Sequence, residues 1–172
     1  MIAELLRQAQ GLQLSVSATT REPRAGELEG RDYHFLSDQE FDRRVAAGEF
    51  LEFATYSGHR YGTLRGEVDE RLAAGISVVL EIEVQGARQI RAAVPDAVLV
   101  FIAPPSPQDL RLRLAARGTD SEEAIERRLR TAEEELAAQD EFSHRIVNDE
   151  VERAAGELAG VVGSQLRVDS LE

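Results

Sequence analysis

Leu12–Arg24 reads L-Q-L-S-V-S-A-T-T-R-E-P-R, and two kinds of structure meet inside it. Leu12, Leu14 and Val16 alternate as a strand with one buried face, and from Ser17 the chain leaves the core for a loop carrying Arg21 and Arg24. Two guanidinium groups three residues apart can fork onto one phosphomonoester. Hydroxyls of Ser17, Thr19 or Tyr33, the last within G-R-D-Y-H-F at Gly30–Phe35, would fill the remaining acceptor sites.

Outward from this stretch the pattern alternates between helices and apolar strands. Upstream, Ile2, Leu5, Leu6 and Ala9 stand at helical spacing with no capping residue before them. Downstream, Ser37 and Glu40 form a capping-box pattern, followed by Phe41 and Val45 and stopped by Gly48, which predicts a short helix. Phe50–Tyr56 and the run resuming at Arg60, split by Ser57 and Gly58, predict an antiparallel excursion around a tight turn. Val68 and Leu72 mark a helix ended by Gly75, Ile76–Ile82 a buried strand, and Ala97–Ala103 another, closed by Pro104 and Pro105. Ser106 and Pro107 start a helix that runs to Gly118, and a charge-rich helix follows from about Ser121. Arg145–Val147 form a last short strand, and Val151, Ala155, Leu158 and Val162 an amphipathic helix. Helices between apolar strands argue for an α/β fold with a parallel sheet. The antiparallel insert occupies about residues 19–65, and no internal repeat is present.

Composition narrows the class. A chain of 172 residues, 42% hydrophobic, can bury a proper core as one domain. Its net charge of -12 argues against general nucleic-acid binding, which needs an excess of basic residues, and assigns the arginines to small local phosphate sites. With no cysteine there are no disulfides, thiolate metal sites or thiol nucleophile. No long apolar run or signal-like N-terminus appears, so no membrane partner is expected and a cytoplasmic location is the default. His34, His59 and His144 are scattered without ligand spacing.

Six segments in order resemble the guanylate kinase family. They are the Ser15–Arg24 loop with Gly30–Phe35, F-L-E-F-A-T-Y-S-G-H-R-Y-G-T at Phe50–Thr63, V-V-L-E-I-E-V-Q-G at Val78–Gly86, F-I-A-P-P-S at Phe101–Ser106, R-G-T-D-S-E-E with R-R-L at Arg117–Glu123 and Arg127–Leu129, and I-V-N-D at Ile146–Asp149. The resemblance covers nearly the whole chain. It implies a P-loop NTPase-like parallel sheet flanked by helices, with core segments 1–18, 66–106 and 141–172, a GMP-binding insert at about 19–65, and a helical lid at about 107–140. It implies transfer of the γ-phosphoryl of ATP to GMP, giving ADP and GDP in purine nucleotide metabolism, with Mg²⁺ and a monomer or homodimer.

Site residues follow by position. The resemblance puts Glu52 and Glu83 on guanine with Ser17 and Thr63 beside them, and Arg21, Arg24, Tyr33 and Tyr61 on the GMP phosphate. Guanine offers N1–H and N2–H donors on one edge, so a carboxylate accepting from both selects it over adenine. In isolation Glu52 would read as an exposed strand glutamate, and Tyr33 and Tyr61 as half-buried packing. Glu81 and Glu83 end an apolar strand on one face. Glu83 stands where the family usually has aspartate, and Glu81 is a candidate water-mediated contact for magnesium or a plain strand-end charge. Arg117 and Arg128 match lid arginines that contact ATP and stabilise the transferred phosphoryl, and Asn148 matches the adenine contact or else caps a turn. Arg113 and Arg127 read equally as solvated helix charges paired with Glu123 or Glu126.

One family element is missing from these residues. No G-x-x-x-x-G-K-[ST] loop occurs, and all 20 basic residues are arginine. Met1 is therefore expected to stand just after the position of that loop, the recorded start truncating a longer protein. The alternative is a non-catalytic guanylate kinase-like module that binds GMP or phosphopeptides.

Overall fold

The computed structural model describes residues 1–9, 11–116 and 122–168. The chain divides into two compact units, Gly11–Ala97 and Met1–Gln10 with Val98–Glu172.

In the first unit, β1 (Leu12–Leu14) pairs in parallel with β6 (Ser77–Val79), Leu12 opposite Ser77 and Leu14 opposite Val79. The ladder closes with Ser15 N–H donating to Val79 O at 3.0 Å. The strand expected over Ile76–Ile82 is thus three residues long, because its partner turns away into the insert after Ser15. The insert is a four-stranded sheet in the order β3-β2-β5-β4, built from β2 (Ser17–Thr19), β3 (His34–Phe35), β4 (Phe50–Tyr56) and β5 (His59–Leu64). β2–β5 and β5–β4 are antiparallel as expected, whereas the short β3, unmarked in the sequence reading, joins β2 in parallel. Ser57 and Gly58 make the tight turn with φ of 51° and 84°, the double positive that a two-residue hairpin needs to match strand twist.

One face of this sheet is apolar. Ala18, Phe41 and Phe50 are buried together with Leu36, Val45 and Leu64 around them, and the Phe41 and Phe50 rings stack at 4.5 Å. Phe41 comes from α2 (Asp38–Ala46) and has no exposed surface, a burial worth roughly 2–3 kcal/mol; truncation to alanine would cost about 3–5 kcal/mol. Arg60 of β5 lies 4.6 Å over the Phe41 ring and pairs with Asp38 at 2.8 Å and with Asp42, closing the helix onto the sheet. Half of the expected capping box forms: Ser37 Oγ accepts from Glu40 N–H at 3.1 Å. The Glu40 carboxylate instead accepts from Arg43 and Arg44, which together hold its pKa down at about 2.

α3 (Arg65–Ala73) buries Val68 but leaves Leu72 55% exposed, so only one of its two marker residues faces the core. α4 (Val84–Ala93) carries no clear helical signature in the sequence. Val84, Ala87 and Ile90 are buried at a spacing of three, a signal too short to stand out beside the apolar strand before it.

The second unit pairs β7 (Val100–Ala103) in parallel with β8 (His144–Val147), Val100 opposite His144 and Ala103 opposite Val147. α1 (Ile2–Gln8) packs on α7 (Val151–Val168); Leu5, Ala154, Ala155 and Leu158 are buried, whereas Val151 is 51% exposed. α5 (Pro107–Ala116) starts at Ser106, whose Oγ accepts from Asp109 N–H at 3.0 Å. It meets α6 (Glu122–Ala137) through an Arg111–Glu126 ion pair at 2.6 Å. Gly118 and Ser121, the expected boundaries between these helices, lie outside the described residues. Among the described residues no helix is long and apolar enough to cross a membrane.

Candidate functional site

The face of the insert sheet opposite the Phe41 core is polar: alternation sends Ser17, Tyr61 and Thr63 there, and the register shift between Phe50 and Glu52 brings Glu52 to the same face. Ser17 pairs with Thr63, Thr63 with Glu52, and Thr19 with Tyr61, so hydroxyl, hydroxyl and carboxylate line up across three strands. Glu52 is only 4% exposed and Thr63 1%. The reading of Glu52 as an exposed strand glutamate is therefore excluded. Thr63 Oγ1 donates to Glu52 Oε1 at 2.7 Å. Burial pushes the Glu52 carboxyl above its ordinary pKa, the Thr63 hydroxyl pulls it back, and the nearby charge of Glu83 raises it further.

Arg21 and Tyr33 meet beyond the end of β2. The Arg21 guanidinium sits 5.2 Å over the Tyr33 ring and forks onto Glu27 with contacts of 3.0 and 2.8 Å, with a further bond to Glu22 O at 2.7 Å. Glu27 is the main cause of the raised Arg21 pKa, with a smaller contribution from the Tyr61 hydroxyl. Tyr33 and Tyr61 contact edge to face at 6.1 Å, and burial raises the Tyr33 phenol. Arg24 donates its backbone N–H to Glu27 at 2.7 Å while its side chain is exposed.

Thr19 does not offer a free hydroxyl to this cluster. Its Oγ1 donates to Arg60 O at 3.0 Å, accepts from Arg21 N–H at 3.1 Å, and has no exposed surface, so it pins the loop internally.

Glu81 is exposed in the segment after β6, and the strand geometry expected to align it with Glu83 ends at Val79. Glu83 is the N-cap of α4. Its carboxylate accepts from Gly86 N–H at 2.8 Å and Gln85 N–H at 3.1 Å, satisfying two donors that the first helical turn leaves open.

In the second unit, Arg128 is half-buried on α6. Arg117 lies outside the described residues. Asn148 follows β8; its N–H donates to Ala103 O at 2.8 Å, and its Oδ1 is buried without a hydrogen-bond partner. Arg113 donates to Asp149 O at 3.3 Å, and Arg127 is exposed. No group of His, Cys, Asp or Glu among the described residues could hold a metal by itself.

Three contributors escaped the sequence reading. Glu27 lies three residues after Arg24, and nothing in the string R-E-P-R-A-G-E says that it turns back on Arg21. Gly86 and Gln89 sit on the unmarked helix α4, the latter with its amide on β4.

The guanylate kinase family model matches residues 1–165. The chain is 54% identical to a guanylate kinase of Rubrobacter xylanophilus, covering 88% of this chain and 79% of the relative. It is 52% identical to that of Thermobifida fusca, covering 95% and 84%. The crystal structure of guanylate kinase from Anaplasma phagocytophilum superposes with a TM-score of 0.79 at 30% identity, over 95% of this chain and 81% of that one. With a family match over almost its full length and relatives more than half identical, the chain belongs to the guanylate kinase family.

Proposed function

We propose that the protein transfers the γ-phosphoryl group of ATP to GMP, and that the polar face of the β3-β2-β5-β4 sheet holds the GMP. The observation that carries this reading is the buried Glu52 carboxylate beside Thr63, on the same sheet face as Tyr61, which in turn touches Tyr33 beneath Arg21. Guanine donates N1–H and N2–H to Glu52, with Ser17, Thr63 and Glu83 completing the base contacts; Arg21, Arg24, Tyr33 and Tyr61 receive the phosphate. Burial makes this recognition selective. A base without those donors leaves a desolvated carboxylate with Thr63 as its side-chain donor and the guanine bonds unmade, at a cost of about 1–3 kcal/mol.

On the ATP side, Arg117 and Arg128 would spread positive charge over the transferred oxygens, and Asn148 would accept from adenine N6–H through its unpartnered Oδ1. Mg²⁺ fits as a companion of ATP, since Glu81 is an exposed carboxylate after β6 and no group among the described residues forms a cage for a metal. When bound it would neutralise charge on the β- and γ-phosphates, with Glu81 reached through water. Catalysis is then positioning and charge neutralisation, with no covalent intermediate.

The test is steady-state phosphoryl transfer from ATP with GMP or AMP as acceptor. Turnover with GMP at least about 100-fold above AMP is expected. Equal use of AMP would remove the guanine assignment, and tight GMP binding without turnover would make the protein a binding module.

A further inference from the structure

We propose that helix α4 is the back wall of the guanine-reading site, with Gly86 and Gln89 as the residues that fix Glu52 in place. This inference rests on the base-reading role assigned above to Glu52. It concerns how a flexible glutamate on an edge strand is held to one geometry.

Glu52 is poorly held by its own strand. β4 is the last strand of its sheet, paired on one side only, and its register shifts between Phe50 and Glu52. An irregularity at this point frees the backbone on which the carboxylate rides. Gln89 restores the missing constraint from the open side. Its Nε2 donates to Phe53 O at 2.7 Å, and its Oε1 accepts from Phe53 N–H at 3.2 Å. The amide thus behaves as a one-residue neighbouring strand, locking the residue next to Glu52. Its Nε2 also reaches Gln85 O at 3.3 Å, which ties the side chain back to its own helix.

Gly86 fixes the carboxylate itself. A Cβ at this position would fall on Glu52 Oε2 and within 3.0 Å of Glu52 Cδ, against about 3.5–4.0 Å for an ordinary contact. The other carboxylate oxygen is already held by Thr63 at 2.7 Å. Glu52 therefore cannot swing aside without breaking that bond in a buried setting. Gly86 is a glycine for the space it leaves and not for its backbone, because it lies within a helix and is not among the residues of positive φ. The same residue donates its N–H to Glu83, so the helix turn that makes room for one carboxylate is capped by the other. Glu83, Gly86 and Gln89 recur every three residues and share one helix face.

The prediction separates from a general packing role because alanine is the better helix former. Away from Glu52, Gly86→Ala would strengthen α4. The experiment measures GMP and inosine monophosphate binding by calorimetry, with thermal melting, for Gly86→Ala, Gln89→Met, Glu52→Ala and Gly86→Ala/Glu52→Ala. Inosine monophosphate lacks the 2-amino donor, so the ratio of the two affinities reads the base contact alone.

Expected are a loss of GMP affinity of about tenfold or more in Gly86→Ala and a collapse of the GMP preference, with a melting temperature that falls in the parent background but not in Glu52→Ala, where the added methyl meets no carboxylate. In the Glu52→Ala background, Gly86→Ala should change GMP affinity less than about twofold, since the residue it displaces is gone. Gln89→Met, of similar size but without the amide, should lower the preference about threefold. A Gly86→Ala variant with undiminished preference, or one that loses as much with Glu52 absent as with it present, overturns the inference. Glu52→Ala tests the underlying reading separately: an unchanged GMP preference there refutes base reading by Glu52, whereas loss there with none in Gly86→Ala refutes only the role of α4.

Discussion

The two ends of the proposed GMP site are built in opposite ways. At the base end, Glu52 and Thr63 are buried, mutually bonded and backed by a helix before any ligand arrives. At the phosphate end, Arg21 is already engaged by Glu27, and Arg24 extends into solvent. A phosphate must take Arg21 from a carboxylate, while the base enters a place already shaped for it. Specificity therefore resides where desolvation is complete, and the phosphate end supplies attraction at the cost of an exchange.

The largest effect should come from removing the cation. Arg21→Ala is expected to raise the GMP requirement about 100-fold while moving the ATP requirement less than about threefold, because a charged, forked contact is lost with nothing to replace it. Steady-state kinetics showing the larger change for ATP would dissolve the division between the two ends.

Next in size is Glu52→Gln, which keeps the shape but replaces one acceptor by a donor. Preference for GMP over AMP should fall about 30-fold. The same change should make the free protein more stable at neutral pH. Glu52 binds its proton more tightly folded than unfolded, so stability falls as pH rises from the ordinary carboxylate range through the raised folded value. Melting curves should show the variant ahead at pH 8 and the gap closing below the ordinary carboxylate range; a constant gap would deny the charge its cost.

Thr63→Val probes the same bond from the other partner. It leaves the buried carboxylate short of a donor and should cost about 2 kcal/mol, or roughly 4–8 °C in thermal midpoint. An unchanged midpoint would mean that Glu52 finds another donor.

The smallest effect belongs to the ion pair that must open. Glu27→Gln keeps an acceptor for Arg24 N–H but weakens the hold on Arg21, and GMP affinity should rise about threefold, the gain shrinking at high salt. Weaker binding would show that Glu27 presents Arg21 to the phosphate.

Local patterns revealed much of the fold. The Ser57–Gly58 hairpin, the cap at Ser37 and the punctuation at Gly48 and Gly75 are written in a few adjacent residues, the strand at Leu12 in alternation and that at Phe101 in a plain apolar run. Helix α4 was obscured because only three buried apolar side chains, Val84, Ala87 and Ile90, mark it, directly after an apolar strand whose carboxyl end shares their character. At the site, residues held by strand register were readable once the strands were. The bonds of Thr19, Glu27 and Gln89 were not, since their partners lie at Arg60, Arg21 and Phe53, and no periodicity reports a side chain that reaches across the chain.

The grip of Gln89 on Phe53 also bears on self-association. β4 is the open border of its sheet, and every second residue of such a border presents an N–H and a C=O to any passing extended chain. At Phe53, 40% exposed and apolar, that invitation would be strongest, and the glutamine amide fills both positions. One side chain thereby occupies, at this residue, the two backbone groups that an added strand would need.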